Sequence, residues 1–181
     1  MLDAPIRSGV LPLKASEAPM THPDLYEGLQ GALLTVPVLA PAELSNRALM
    51  IQTQHGQPVM HGDGENIPSH RPAGFTEFVM TNSLLEALHT LHTFGQLEAR
   101  IEPEAVDALL DAGFVWAVAD PAVYPGPSGK QWATTYGRLF KALFGPPHRI
   151  GHSGGVWRIR RLEGPVQVKL RLATGRQRQV R

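Results

Sequence analysis

The side chains best suited to chemistry crowd into one stretch. His55, His61, Asp63, Glu65 and His70 fall within sixteen residues. Imidazole and carboxylate together can hold zinc or a similar ion, and the sharpest form of that reading is a metal-dependent hydrolase built on His55, His61 and Asp63. The spacing fits no standard helical ligand pair. The competing expectation is that His55 and His61 flank a turn at Gly56 and hydrogen-bond to loop backbone. Gly151-His152-Ser153-Gly154-Gly155 matches the G-x-S-x-G nucleophile elbow. An elbow needs a strand before the serine and a helix after it. Here Val156 to Arg160 alternates like a strand, Glu163 is the one later acid, and no histidine follows Ser153. The glycines read more simply as a hairpin turn. Asp120-Pro121 follows an apolar run, and ligands of open α/β sheets gather beyond the carboxyl ends of strands. Asp120 is therefore the acid expected at a pocket, against the plainer role of capping a turn. Gly126 to Lys130 departs from a phosphate loop: Gln131 follows the lysine and Pro127 removes an amide donor. His89 and His92 share a helix face beside a leucine stripe and read as surface or boundary residues. The absence of cysteine excludes disulfides, thiolate metal sites and a cysteine nucleophile. No catalytic constellation emerges, and no cofactor is expected.

Charge divides the chain. It has 181 residues, 17 basic and 16 acidic. Arg158, Arg160, Arg161, Lys169, Arg171, Arg176, Arg178 and Arg181 face one acid, Glu163, in the final stretch, so the remainder is acidic by six charges. Such an end can bind the phosphates of nucleic acid or of anionic lipid, or it is a solvated edge strand with a frayed tail. No aromatic follows Trp157, so the stacking signature of single-strand binders is missing and nucleic acid is not the expected partner. No apolar run reaches the roughly 18 to 20 residues that cross a bilayer. Met1 to Ser16 does not resemble a secretory signal.

The elements that would position these residues form an α/β domain. Residues 1–22 read as an extended lead-in, 23–172 as a single domain, and 173–181 as a basic tail expected to be disordered. Strands are expected at Gly31 to Leu39, Ala48 to Thr53 and Gln57 to Met60, with a loop at His61 to Pro72. A helix should start at Thr81-Asn82-Ser83 and stop at Gly95, and another should run over Glu102 to Ala112 behind Pro103. Phe114 to Val118 is continuously apolar, as in a strand covered on both faces. Lys130 to Phe144 has a helical apolar stripe. His148 to Ile150, Val156 to Arg160 and Val166 to Leu172 read as strands. The expected fold is a small mixed sheet with about three packed helices and a C-terminal antiparallel hairpin. Gly31 to Leu39 and Phe114 to Val118 should lie near the sheet's centre, with Leu33, Val36, Val115, Trp116 and Val118 in the core.

The order of segments is more specific than any one motif. PDLYEGLQGALLTVPVL begins at Pro23 and NRALMIQTQHGQPVMHG at Asn46; DALLDAGFVWAVADPAVYP and RLFKALFGPPHRIGHSGGVWRIRR follow. Together, over Pro23 to Arg161, they resemble the soluble extracytoplasmic C-terminal domain of bacterial GT-C-type glycosyltransferase-like polytopic membrane proteins. The most specific piece is Gln52 to Gly62, with Gln54, His55, Gly56 and Pro58. The resemblance implies an accessory or binding domain without sugar-transfer machinery, whose partners are a glycan, a lipid-linked sugar or another protein. It implies a place on the extracytoplasmic face of the inner membrane, with membrane spans upstream. Gln54 and His55 match the motif, and with His61 and Asp120 they are the candidate ligand-binding residues. The chain departs from the pattern after Gly62, where Asp63-Gly64-Glu65-Asn66 replaces an aromatic-rich continuation.

Overall fold

The computed structural model of the protein describes residues 23–60, 73–124, 126–151 and 154–172. Helices and strands alternate along them: α1 (Pro23–Tyr26), β1 (Ala32–Thr35), α2 (Ala42–His55), α3 (Phe75–Thr81), α4 (Ser83–Phe94), β2 (Gln96–Ile101), α5 (Pro103–Asp111), β3 (Phe114–Ala119), α6 (Ser128–Phe144), β4 (Arg149–Ile150), β5 (Gly155–Arg158) and β6 (Val166–Arg171). A 3-10 turn, Pro121–Val123, follows β3. The fold is α/β. Its main sheet is mixed, in the order β1-β3-β5-β4, with β1 parallel to β3 and β5 antiparallel to both its neighbours. β2 and β6 form a separate antiparallel ribbon. α6 bridges the two, packing on β3, β5 and β6.

Local sequence explains most of these boundaries. Asn82 caps α4: its side-chain oxygen accepts from the Leu84 and Leu85 amides at 3.1 and 3.0 Å, and its amide donates to the Ala105 carbonyl at 2.8 Å. Gly95 ends α4 at φ 65°, a left-handed conformation costly to any residue with a Cβ. Pro103 opens α5, where its missing amide costs nothing. The uniformly apolar β3 buries its last four residues, and the expected placement of Leu33, Val36, Trp116 and Val118 in the core holds. Val115 is only half-buried. Trp116 donates from Nε1 to the Gln30 carbonyl at 3.0 Å, and the Arg158 guanidinium lies 5.0 Å from its ring.

Several expectations need correction. Ala48 to Thr53 is not a strand but the second half of α2. Leu44, Ser45, Ala48 and Ile51 form one buried face at helical spacing, and this face outweighs the β-branching of Ile51 and Thr53. Gln57 to Met60 contributes a single parallel bridge, Val59 to Leu33, with the Leu33 amide on the Pro58 carbonyl at 2.8 Å. β1 is shorter than expected, four residues before a cis Val36-Pro37 bond. It lies at the end of the strand order rather than at its centre, and β3 and β5 are the inner pair. Six helices are described instead of about three. The expected hairpin is β4 with β5, whereas β6 crosses to β2. The lead-in 1–22, the loop 61–72 and the tail 173–181 lie outside the described residues.

Candidate functional site

The end of α2 brings two of the candidate residues to one place. Gly56 stops the helix at φ 68°, and the chain folds back so that the Gln57 amide donates to His55 Nδ1 at 3.0 Å. The Gln57 side chain in turn accepts from the Gly31 amide at 3.1 Å, tying the turn to the start of β1. The His55 ring stacks on Tyr26, with centroids 4.3 Å apart and planes 11° from parallel. Tyr26 donates its hydroxyl to Asp120 Oδ2 at 2.7 Å, and Asp120 Oδ1 accepts from the Ala122 amide at 2.8 Å. A connected series therefore runs from the carboxyl end of β3 through α1 to the end of α2.

Beside this series lies a concavity of about 700 Å³. α1 contributes Asp24 and Tyr26 to its wall, Glu27 and Leu29 follow, and α2 and its turn contribute Ile51, Gln54, His55 and Gln57. Two carboxylates and two primary amides thus surround an apolar floor. Burial raises the Tyr26 pKa well above its usual value, with the Asp120 charge and the Tyr26–Asp120 hydrogen bond adding to the effect. Tyr26 therefore stays protonated at any ordinary pH and acts as a fixed donor. Burial lowers the His55 pKa. The imidazole is neutral at pH 7, and the Gln57 amide on Nδ1 assigns the proton to Nε2. That Nε2 is buried and has no hydrogen-bond partner. This arrangement suits hydrogen bonding and stacking. Proton shuttling is another matter, because Tyr26 is locked protonated and the Asp120 carboxylate is turned inward.

Of the candidate ligand-binding residues, Gln54 and His55 line the concavity. Asp120, 2% exposed, does not: it caps the 3-10 turn and anchors Tyr26 from behind. His61 and Asp63, with Glu65 and His70, lie outside the described residues, as do His152 and Ser153. Among the described residues no group of three or more histidines or acids is arranged to hold a metal ion. His89 and His92 are half-buried on α4. His89 Nδ1 is 3.4 Å from the Val38 carbonyl, and His92 packs against Trp132 at 5.4 Å and Tyr124 at 6.1 Å. Burial lowers the His92 pKa, and the neighbouring His89 adds to this. Part of the basic C-terminal stretch is already engaged. Besides Arg158 on Trp116, Arg161 lies 3.2 Å from Asp107 and Lys169 2.7 Å from Glu98, directly across the ribbon. The hydrogen bond and charge of Lys169 hold the Glu98 carboxyl below its usual range. Among the described residues no helix is long and apolar enough to cross a membrane.

The α1 side of the wall, Asp24, Tyr26 and Glu27, was not legible as a site. Its sole sequence signal was an aromatic flanked by acids just before the first strand. Comparison with protein-family models, with curated proteins and with solved structures finds no match to this chain.

Proposed function

We propose that the protein is a non-catalytic binding domain whose ligand is a saccharide, free or lipid-linked, held in the concavity between α1 and the end of α2. The reading places it as an extracytoplasmic accessory domain of a glycosyltransferase-like membrane protein. One observation carries it: Gln54 and His55, the residues of the motif-like stretch, line a concavity together with Tyr26. Planar amides and carboxylates make paired hydrogen bonds to neighbouring hydroxyls. The test is calorimetric and NMR titration of the full chain with a panel of neutral, amino and acidic saccharides and with vesicles carrying polyprenyl-phosphate sugars. Binding should shift the signals of Gln54 and His55 and should weaken about tenfold or more, about 1.4 kcal/mol, in Gln54→Ala or His55→Ala. No binding to any of the panel, or binding indifferent to both substitutions, overturns it. The membrane context is tested by the reading frame upstream of Met1, where a series of apolar segments of about 20 residues is expected.

A further inference from the structure

α1 and the residue after it, Glu27, supply three side chains to the wall of the concavity, yet α1 is a single turn of four residues. A helix that short does not hold itself in place. What holds it comes from the other end of the sequence. Arg149, on β4, donates from Nη1 to the Asp24 and Glu27 carbonyls, both at 2.7 Å. Arg149 is not itself part of the wall. The same hairpin makes room for the inner side of α1. Leu25 is fully buried, and a Cβ on Gly151 would come within 2.9 Å of its Cδ2. A Cβ on Gly154 would come within 3.3 Å of Leu25 and would strike the Ala119 carbonyl oxygen. Gly151, the first glycine of the elbow-like sequence, and Gly154 within it are thus the clearance into which Leu25 fits. With the Tyr26 hydroxyl on Asp120, α1 has three fastenings: Arg149, the glycine seat and the end of β3.

We infer that Arg149 is a positioning residue of the ligand site. It sets Asp24, Tyr26 and Glu27 against Gln54 and His55 without touching the bound molecule; its effect on affinity rests on the saccharide reading above. Charge-assisted hydrogen bonds to two carbonyls are stronger than neutral ones, and both are made by one guanidinium nitrogen. A lysine ammonium has enough donors to replace them, whereas methionine has none.

The test compares Arg149→Met and Arg149→Lys in the full chain. Amide hydrogen exchange is read over α1 and over β3, Tyr26 ring signals are followed by NMR, and affinity is read for the saccharide that binds the parent chain best. Arg149→Met should speed exchange in α1 about tenfold or more while β3 stays protected, and affinity should fall by a similar factor. Arg149→Lys should restore most of both. Unchanged exchange in α1, an equal increase in β3, or loss of the whole fold in Arg149→Met overturns the inference, as does a Lys variant no better than Met. If the parent chain binds no saccharide, the ligand reading falls, and the exchange comparison still decides whether Arg149 fixes α1.

Discussion

All three tyrosines of this chain, Tyr26, Tyr124 and Tyr136, are buried, at 6%, 4% and 0% exposure. Burial raises the pKa of each; the Asp120 charge adds to the effect at Tyr26, and the neighbouring Tyr136 does so at Tyr124. The consequence is steep alkaline unfolding. Unfolded tyrosine ionises near pH 10, whereas the native hydroxyls keep their protons. The native state then binds more protons than the unfolded one, so this part of the stability is complete below about pH 10 and is lost as pH rises beyond it. One protected tyrosine accounts for about 1 kcal/mol between pH 10 and pH 11, rising towards about 1.4 kcal/mol per unit beyond that, and three account for about 3 kcal/mol over the same step. Against a total of about 5 to 15 kcal/mol, that loss removes between about a fifth and three fifths of the stability in one pH unit. The assay follows tyrosinate absorbance and far-ultraviolet circular dichroism together through an alkaline titration, with urea unfolding at the two pH values. Tyrosinate should appear only as the helical signal disappears. Tyr136→Phe should flatten the pH slope by about one third. Gradual ionisation with a midpoint near pH 10 and an intact dichroism signal would refute the reasoning.

Other outcomes follow from single groups. Trp116→Ala removes a ring that is 8% exposed on an inner strand, together with its hydrogen bond to Gln30. It should cost about 3 to 5 kcal/mol in urea unfolding, and a loss under about 1 kcal/mol would displace Trp116 from the core. Asn82→Ala removes two capping bonds and a buried bond to Ala105. A loss of about 2 to 3 kcal/mol is expected, largely recovered by Asn82→Asp if capping dominates. His92 is the acid-side counterpart of the tyrosines. Its lowered pKa means that the unfolded chain takes up a proton first, so stability is complete above about pH 6.5 and falls as pH drops from there through the native value. Urea midpoints should decline from neutral to mildly acidic pH, and less so in His92→Gln; identical declines would remove His92 as the cause.

What could be read in the sequence was what local physics decides. Asn82, Gly95 and Pro103 mark helix ends, and those boundaries hold. The β3 run was legible because covering both faces of a strand leaves no polar alternation. α2 was misread because its most apolar portion, Leu49 to Ile51, looks like a strand when taken alone. The helical face appears only when counting begins at Leu44, after Pro41. β2 was missed because Gln96, Glu98 and Arg100 face outward, leaving only a thin apolar alternation. The site was half legible. Gln54 and His55 stood out by motif, but Tyr26 meets Asp120 across 94 positions, a pairing that no local pattern announces.

The ribbon has a bearing on how the molecule comes to be made. Glu98 and Lys169 are 71 positions apart, so β2 leaves the ribosome long before β6 exists. Throughout that interval Leu97 and Ile101 have α4 beside them but none of the cross-strand neighbours Leu170 and Val166. Closing so distant a pairing is slow, and an open strand edge flanked by apolar side chains invites the nascent chains of neighbouring copies. Glu98 and Arg100, both facing outward from β2, put charge along that edge and discourage such misassembly before the proper partner arrives.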